Sequence, residues 1–208
     1  MILGITGSFG SGKSTVADIF KRYGFKVINA DKLYSKLSSP NSSIYNKIKK
    51  EFGDVVIKKN RFIDREKLKK IIFSDSKRLK KLNSITHPVI IKEIKKEISQ
   101  IKKSNKKTSI IKENNNIKII IDAPLLIEAN ATGLVDKIVV VKCEKKEQIK
   151  RILKKRKYTK IEIDNIVKSQ MPLREKLKYA DFVVDNSKSM KEAEKQIVNI
   201  LKTITFNI

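Results

Sequence analysis

The chain has 208 residues, of which 40% are hydrophobic and 34% are charged, and its 48 lysines and arginines outnumber its 22 acids to give a formal net charge of +26. A chain of this length can bury a core of its own, and no apolar run reaches the ~20 residues that a membrane span requires. The single cysteine excludes an internal disulfide, and the first residues lack the pattern of a secretory signal. We therefore expect a cytoplasmic globular protein with no membrane partner.

The basic residues are spread along the chain and form no focused patch. Only seven of the 48 are arginine, and lysine, isoleucine and asparagine are all over-used, which is typical of A/T-rich coding. Aromatic residues make up 6% of the chain, and none alternates with a basic run as in proteins that bind single-stranded nucleic acid. This composition predicts no dedicated nucleic-acid partner.

The first predicted elements are a strand, a glycine-rich loop and a helix. The apolar run Ile2–Ile5 precedes the sequence Gly7-Ser8-Phe9-Gly10-Ser11-Gly12-Lys13-Ser14-Thr15, and apolar residues then recur at helical spacing from Val16 to Tyr23. The spacing G-x4-G-K-[ST] from Gly7 to Ser14 is that of a phosphate-binding loop, or P-loop. The competing interpretation, a plain glycine- and serine-rich turn, is disfavoured by the order of strand, loop and helix.

A P-loop binds phosphate through backbone N–H groups that its glycines allow to point inward, and through the positive end of the following helix. Lys13 would reach the terminal phosphates of a nucleotide, and the Ser14 hydroxyl would bind the accompanying Mg²⁺. The sequence therefore predicts ATP and Mg²⁺ as cofactors. The predicted nucleotide-binding residues of the loop are Gly7, Gly10, Ser11, Gly12, Lys13, Ser14 and Thr15.

A second strand is predicted to end close to Asp31. Ligands of parallel α/β sheets lie at the carboxyl ends of the strands, so this acid would face the nucleotide site. Alternatively, Asp31 caps the helix that is predicted over residues 32–37. The residues alone leave both interpretations open.

Residues from about 32 to 116 show helical patterns and no strand periodicity. Asp64 is a predicted helix cap, and Pro88 is expected in the first turn of a helix that begins at His87. His87 is the sole histidine, and such a residue is more often a cap or a core residue than a functional one. The polar tract from Lys102 to Asn116 is predicted to be a surface loop.

Further strands are predicted up to Asp122, from Val135 to Val141, and over Phe182–Asp185. Because helical segments separate the strands, the sequence predicts an α/β fold with a doubly wound, five-stranded parallel sheet. Asp122 ends its strand on a carboxylate, as the Mg²⁺-binding acid of P-loop enzymes does.

Residues 145–179 are predicted to be helical, with a capping box at Thr159 and Glu162. Arg151 and Arg156 lie five residues apart in this segment. Phosphoryl transfer requires a cover that brings arginine to the transferred phosphate, so the segment is a candidate lid. A solvated helix face is the alternative interpretation of the two arginines.

Several short motifs follow one another along nearly the whole chain: Gly4-Ile5-Thr6-Gly7, Asn29-Ala30-Asp31, Ile63-Asp64-Arg65, Thr86-His87-Pro88-Val89-Ile90, Asp122-Ala123-Pro124-Leu125-Leu126-Ile127-Glu128, Gln148-x-x-Arg151, Gln170-Met171-Pro172 with Lys176, and Ala180-Asp181-Phe182-Val183-Val184-Asp185-Asn186. In this ordered set of motifs the chain resembles the dephospho-CoA kinases. Members of this family use ATP to phosphorylate the ribose 3′-hydroxyl of dephospho-CoA, which is the last step of CoA biosynthesis.

The resemblance implies a nucleotide-binding core over 1–31, 117–144 and 180–208, a helical CoA-substrate domain over 32–116, and a lid over 145–179. It also implies that dephospho-CoA and ATP are the substrates. Asp31 would be the general base, and Lys13, Arg151 and Arg156 would be the other catalytic residues. Substrate would be bound by Asp31, Arg65, His87 and Asp122, metal by Ser14 and Asp122, and adenine in part by Asn186.

The sequence departs from the family pattern in three places. Asn29 replaces the first acid of Asp-Ala-Asp, Ser8-Phe9 replaces Gly-Ile, and Lys157 stands after Arg156, where the family commonly has an acid. Asn29 places any mechanism with two carboxylates in doubt. Two alternatives to dephospho-CoA kinase activity stay open, namely another P-loop small-molecule or nucleotide kinase, and a nucleic-acid-dependent ATPase. The sequence also leaves the oligomeric state open, with a monomer among the options.

Overall fold

The computed structural model describes residues 1–108, 117–154 and 159–206. Two compact units are present, one formed by residues 1–28 and 101–208 and the other by residues 29–100. The division into a nucleotide-binding core, a substrate domain and a lid, with the limits given above, stays a prediction.

The first unit is built on a parallel sheet, and the described residues contribute five strands to it. These are β1 (Ile2–Gly7), β2 (Lys26–Asn29), β3 (Ile119–Asp122), β4 (Lys137–Lys142) and β5 (Phe182–Asp185), in the order β2-β3-β1-β4-β5. The predicted doubly wound α/β fold is confirmed. β4 begins two residues later than the sequence predicted, because Val135 closes a short 3₁₀ turn over Thr132–Leu134.

The helices, in chain order, are α1 (Lys13–Arg22), α2 (Ala30–Leu37), α3 (Ser43–Phe52), α4 (Arg65–Ser74), α5 (Ser76–Thr108), α6 (Lys145–Lys154), α7 (Lys160–Ser169), α8 (Leu173–Leu177) and α9 (Met190–Phe206). None of the helices in the described part of the chain has the length and apolar character needed to cross a bilayer.

Helices α1 and α9 cover one face of the sheet. Leu3 and Ile5 of β1 are fully buried there, together with apolar side chains of both helices. Gly4, between them, faces the opposite side, where an added Cβ would lie only 2.5 Å from Leu126 Cδ2. Alternate residues of β1 therefore pack on both faces, as a central parallel strand requires.

The second unit has its own core. Buried apolar side chains of α3, α4 and the start of α5 pack together around Ile48, Leu68 and Leu82. Asp64 caps α4 as predicted, because its Oδ1 accepts the N–H of Lys67 at 3.1 Å.

The structure corrects two predictions about α5, which runs for 33 residues with Pro88 inside it. No helix begins at His87, and the predicted loop from Lys102 is helical as far as Thr108, while residues 109–116 lie outside the described part. Pro88 removes one backbone N–H from the helix. The helix continues because buried side chains anchor it before Pro88, at Leu82 and Thr86, and after it, at Ile94 and Ile98.

Candidate active site

The predicted P-loop connects β1 to α1 and has the backbone geometry of an anion site. Gly10 and Gly12 adopt left-handed φ angles of +80° and +85°, which side-chain-bearing residues rarely adopt. A Cβ on Gly7 would lie 2.2 Å from the carbonyl oxygen of Val141 in β4. No side chain makes a capping hydrogen bond at Gly12, where α1 starts, so no cap occupies the positive end of this helix.

Two polar side chains in the loop fit a bound phosphate. Lys13 is buried, and its Nζ donates to the carbonyl oxygens of Gly7 at 3.1 Å and Ser8 at 2.9 Å. The Ser11 hydroxyl is fully buried and has no hydrogen-bond partner among the residues that the structure describes. A buried cation and a buried hydroxyl in one glycine-rich loop are donors that suit phosphate oxygens.

Asn186, which directly follows β5, contacts the P-loop at Ser11 and Gly12. Its Nδ2 donates to the Ser11 carbonyl oxygen at 2.9 Å, and a Cβ on Gly12 would lie 2.0 Å from the same nitrogen. The buried Asn186 side chain thus explains why residue 12 is glycine. Its contact with adenine stays a prediction.

Asp185, the neighbour of Asn186, stabilises the turn after β5. Burial alone would raise the pKa of this carboxyl, but hydrogen bonds from Ser187 and an ion pair with Lys142 at 3.1 Å together hold the pKa below its usual value. Because the pKa of Asp185 is lower in the folded than in the unfolded chain, this carboxylate stabilises the fold at pH values above its unfolded-state pKa. The stabilisation is lost as the pH falls through the folded-state pKa.

Asp122 and Ser14 are the two residues that the sequence predicts to bind a metal ion, and both carry side-chain oxygen atoms. Asp122 is buried at the end of β3 and pairs in register with Ile5 of β1, while Ser14 is exposed in the first turn of α1. Within the ranges that the structure covers, no cluster of three His, Cys, Asp or Glu side chains is present. Mg²⁺ commonly uses one or two protein oxygens together with substrate phosphates, so this donor set fits Mg²⁺.

Arg151 of α6 lies beside the P-loop. Its Nη1 would be 3.4 Å from a Cβ on Gly12, and it also lies 3.6 Å from the sulfur of Cys143. Burial raises the pKa of the Cys143 thiol, and the positive charge of Arg151 opposes this only in part. The second predicted lid arginine, Arg156, lies outside the described residues.

Asp31 lies exposed in the first turn of α2, in the unit formed by residues 29–100. The residue that caps α2 is Asn29, whose Oδ1 accepts the N–H of Lys32 at 2.8 Å. The interpretation of Asp31 as the cap is therefore wrong. Asn29 also keeps the capping function that an aspartate would have at this position, since the two residues cap equally well.

Arg65 packs on the face of α2 that carries Asp31. Its guanidinium lies 5.7 Å from the centre of the Tyr34 ring, and its Nη2 donates to the Ser35 hydroxyl at 3.1 Å. Tyr34 and Ser35 are three and four residues after Asp31, so all three share one helix face. Burial raises the pKa of Tyr34, and the charge of Arg65 opposes the shift. The other predicted residue of this unit, His87, is half-buried in α5.

The same unit contains a cavity of about 590 Å³ between α2, α3 and α5. Its lining combines apolar side chains, hydroxyl groups and charged groups: Leu37, Val89, Ser43, Ser99, Lys92, Lys95, Lys96 and Glu93. A lining of this kind suits a ligand that has both anionic and apolar parts.

Comparison with known proteins decides which P-loop family these features represent. A family model described as "CoaE: Dephospho-CoA kinase" matches residues 1–192. The dephospho-CoA kinase of Carboxydothermus hydrogenoformans is 40% identical over 97% of this chain and 93% of its own length, and that of Fusobacterium nucleatum is 36% identical over 98% of both. The chain belongs to the dephospho-CoA kinase family.

Solved structures agree with this assignment. The dephospho-CoA kinase from Campylobacter jejuni superimposes with a TM-score of 0.67 at 29% identity, over 100% of this chain and 98% of that one. Shikimate kinase from Acinetobacter baumannii has a TM-score of 0.53 at 13% identity, over 99% and 93% of the two chains, which shows a shared fold alone. As a dephospho-CoA kinase the chain is a transferase that uses ATP and dephospho-CoA and completes CoA.

One interaction of a buried side chain, between two family motifs, was not predicted from the sequence. The Lys176 side chain is fully buried, pairs with Glu128 at 2.8 Å and donates to the carbonyl oxygen of Pro124 at 2.6 Å. Glu128 also accepts the N–H of Met171 at 3.0 Å. The pair therefore ties the segment after α7 to the loop after β3. The clue in the sequence is that both residues belong to family motifs and have no local partner.

Replacing Lys176 by methionine is expected to lower the free energy of unfolding by about 3 kcal/mol, because it leaves the largely buried Glu128 carboxylate without its cationic partner. The matched control is Lys178→Met, which breaks the exposed ion pair with Glu175 and should cost at most about 1 kcal/mol. Urea unfolding followed by circular dichroism measures both. Equal losses in the two variants would contradict the structural importance of the buried pair.

Proposed function

We propose that this chain transfers the γ-phosphoryl group of ATP to the ribose 3′-hydroxyl of dephospho-CoA, with the P-loop holding the phosphates and Asp31 acting as the base. The observation that carries the proposal is the P-loop itself, with its left-handed glycines, buried Lys13 and unsatisfied Ser11 hydroxyl. Membership of the family supplies the acceptor.

The loop amides from Gly10 to Lys13 and the Lys13 ammonium bind the β- and γ-phosphates. Arg151 offsets the negative charge that spreads over the transferred group, and its position beside Gly12 supports this role. Arg156 is proposed to assist from the same segment, on the strength of the family resemblance alone.

In the transfer, the ribose 3′-oxygen forms a bond to the γ-phosphorus while the bond from that phosphorus to the bridging oxygen breaks. The electron pair of the broken bond leaves with ADP. The hydroxyl proton passes to the carboxylate of Asp31. Arg65 and His87 are proposed to hold the substrate in place, and the packing of Arg65 on the Asp31 face of α2 supports this for Arg65.

Ser14 and Asp122 are proposed to hold Mg²⁺, which when bound neutralises phosphate charge. Thr15, the next residue in α1, is proposed to contact the nucleotide phosphates through its N–H.

Removing either proposed metal ligand should raise the Mg²⁺ concentration that gives half-maximal activity by about tenfold or more. The variants are Ser14→Ala and Asp122→Asn, and the control is Ser84→Ala, on an exposed position of α5. A Mg²⁺ titration at saturating ATP measures the effect. Unchanged Mg²⁺ dependence in both variants would contradict the assignment.

We propose that the cavity of the 29–100 unit receives the diphosphate and apolar arm of dephospho-CoA, since lysines and apolar side chains line it together. Lys92→Glu should raise the KM for dephospho-CoA about tenfold and leave the KM for ATP unchanged, because it reverses one charge at the anion. The control Lys80→Glu reverses an exposed charge of the same helix that does not line the cavity. A rise in both KM values, or in neither, would refute the cavity assignment.

An acceptor screen tests the function. The protein is incubated with ATP and, in turn, dephospho-CoA, nucleoside monophosphates and shikimate, and ADP formation is recorded. We expect rapid turnover with dephospho-CoA alone. Faster turnover with any other acceptor would overturn the proposal and favour a different P-loop kinase.

The formal charge of +26 motivates one rival function, a nucleic-acid-dependent ATPase. That function predicts ATP hydrolysis that rises sharply when RNA or DNA is added. We expect no such rise.

We also propose that the reaction takes place in the cytoplasm. The single cysteine of the chain, Cys143, supports this location because it is free.

A further inference from the structure

The residue at the tip of the P-loop is held by two glutamines from distant parts of the chain. The Phe9 N–H donates to Gln170 Oε1 at 3.1 Å, and the Phe9 carbonyl oxygen accepts a hydrogen bond from Gln148 Nε2. Gln148 lies in α6 and Gln170 directly follows α7. Two separate parts of the predicted lid segment, 145–179, therefore hydrogen-bond to one residue of the loop.

The chemistry of Phe9 fixes the orientation of both side-chain amides. A backbone N–H can only donate, so Gln170 must present its oxygen, and a backbone carbonyl can only accept, so Gln148 must present its NH₂ group. This difference has a direct consequence for substitution. Glutamate can replace Gln170 as an acceptor, but it cannot replace Gln148 as a donor.

The helix that carries Gln148 also packs tightly on the rest of the loop. A Cβ on Gly10 would lie 2.6 Å from the side chain of Ile152, which is buried, and 3.2 Å from Cγ of Gln148. Gln148, Arg151 and Ile152 are spaced as one helix face, and all three contact the loop or approach it closely. The hydrogen bond from Gln148 therefore fixes the register of Arg151 against Gly12.

Gln170 is presented by an anchored segment. The N–H of the next residue, Met171, donates to Glu128, which in turn pairs with the fully buried Lys176. These contacts anchor the backbone beside Gln170, whose oxygen accepts the Phe9 N–H.

We propose that Gln148 and Gln170 are positioning residues that clamp the Phe9 peptide, and that the clamp sets both the path of the loop amides and the place of Arg151 beside the phosphates. The inference rests on the proposed role of the loop in binding ATP. Neither glutamine contacts the reacting atoms in this account. Each acts through Phe9 and the segment that it belongs to.

The test compares Gln148→Glu with Gln170→Glu, which add the same charge on the two sides of the same peptide. Their common electrostatic effect on ATP cancels in the comparison, and only the first variant loses its hydrogen bond. We expect Gln148→Glu to bind a fluorescent ATP analogue more weakly than Gln170→Glu does, with a dissociation constant about tenfold higher. Gln170→Ala, which removes the acceptor, should bind ATP as weakly as Gln148→Ala. Gln100→Glu, on an exposed position of α5, controls for added charge and should bind ATP as the wild type does.

Thermal unfolding of each variant separates positioning from a purely structural role. We expect the melting temperatures of the two glutamate variants to lie within about 2–4 °C of each other, which is the difference that the loss of one hydrogen bond causes in a chain of this size. The clamp is refuted if both variants bind ATP equally, or if the loss of affinity follows the loss of stability. ATP binding is measured without acceptor, so a wild type that binds ATP but leaves dephospho-CoA unphosphorylated would refute the proposed function and leave the clamp test intact.

Discussion

Replacing Lys13 by methionine should lower kcat for CoA formation by about 10²–10³-fold, because it removes a buried cation from the place where phosphate charge develops. The methionine stem can occupy the same space, so the loop should keep its fold. In the free enzyme the variant loses the hydrogen bonds from Nζ to the carbonyl oxygens of Gly7 and Ser8.

A coupled assay of ADP release measures the effect, and the matched control is Lys21→Met, an exposed lysine in the last turn of the same helix. The control should retain wild-type turnover. A Lys13 variant with less than a tenfold loss would show that the loop does not bind the transferred phosphate as proposed.

The second large effect is expected for Asp31→Asn. An asparagine has the same shape but cannot accept the hydroxyl proton, so kcat should fall by about 10²–10⁴-fold while the affinity for ATP stays unchanged. The fold of α2 should be preserved, because its cap is Asn29 and not Asp31. Asp18→Asn, an exposed acid of α1, is the control for loss of one negative charge.

Single-turnover measurements with saturating ATP and dephospho-CoA isolate the chemical step of the Asp31 variant. Turnover within about tenfold of the wild type would show that another group, or the phosphate itself, accepts the proton. A parallel loss of ATP affinity would instead assign Asp31 a binding role.

Much of the fold could be predicted because its signals are local. The glycines of the P-loop, the carboxylate at the end of β3 and the capping box at Thr159 each depend on residues within a few positions of one another. The order of strands and helices then follows from their alternation along the chain.

The sequence could not predict interactions that join distant residues. The hydrogen bonds that join Phe9 to Gln148 and Gln170 cross 139 and 161 positions of the chain. Nothing local pairs the buried Lys176 with Glu128. The continuity of α5 through Pro88 was missed for a related reason. Tertiary packing on both sides of the proline outweighs its local tendency to end a helix.

Two analogues of the substrate test the central claim most directly. Dephospho-CoA with deoxyribose lacking the 2′-hydroxyl, and its counterpart lacking the 3′-hydroxyl, are each offered with ATP, and phosphate transfer is followed by mass spectrometry. The proposed reaction predicts that the 2′-deoxy analogue is phosphorylated and the 3′-deoxy analogue is not. Transfer to the 3′-deoxy analogue at a comparable rate would contradict it.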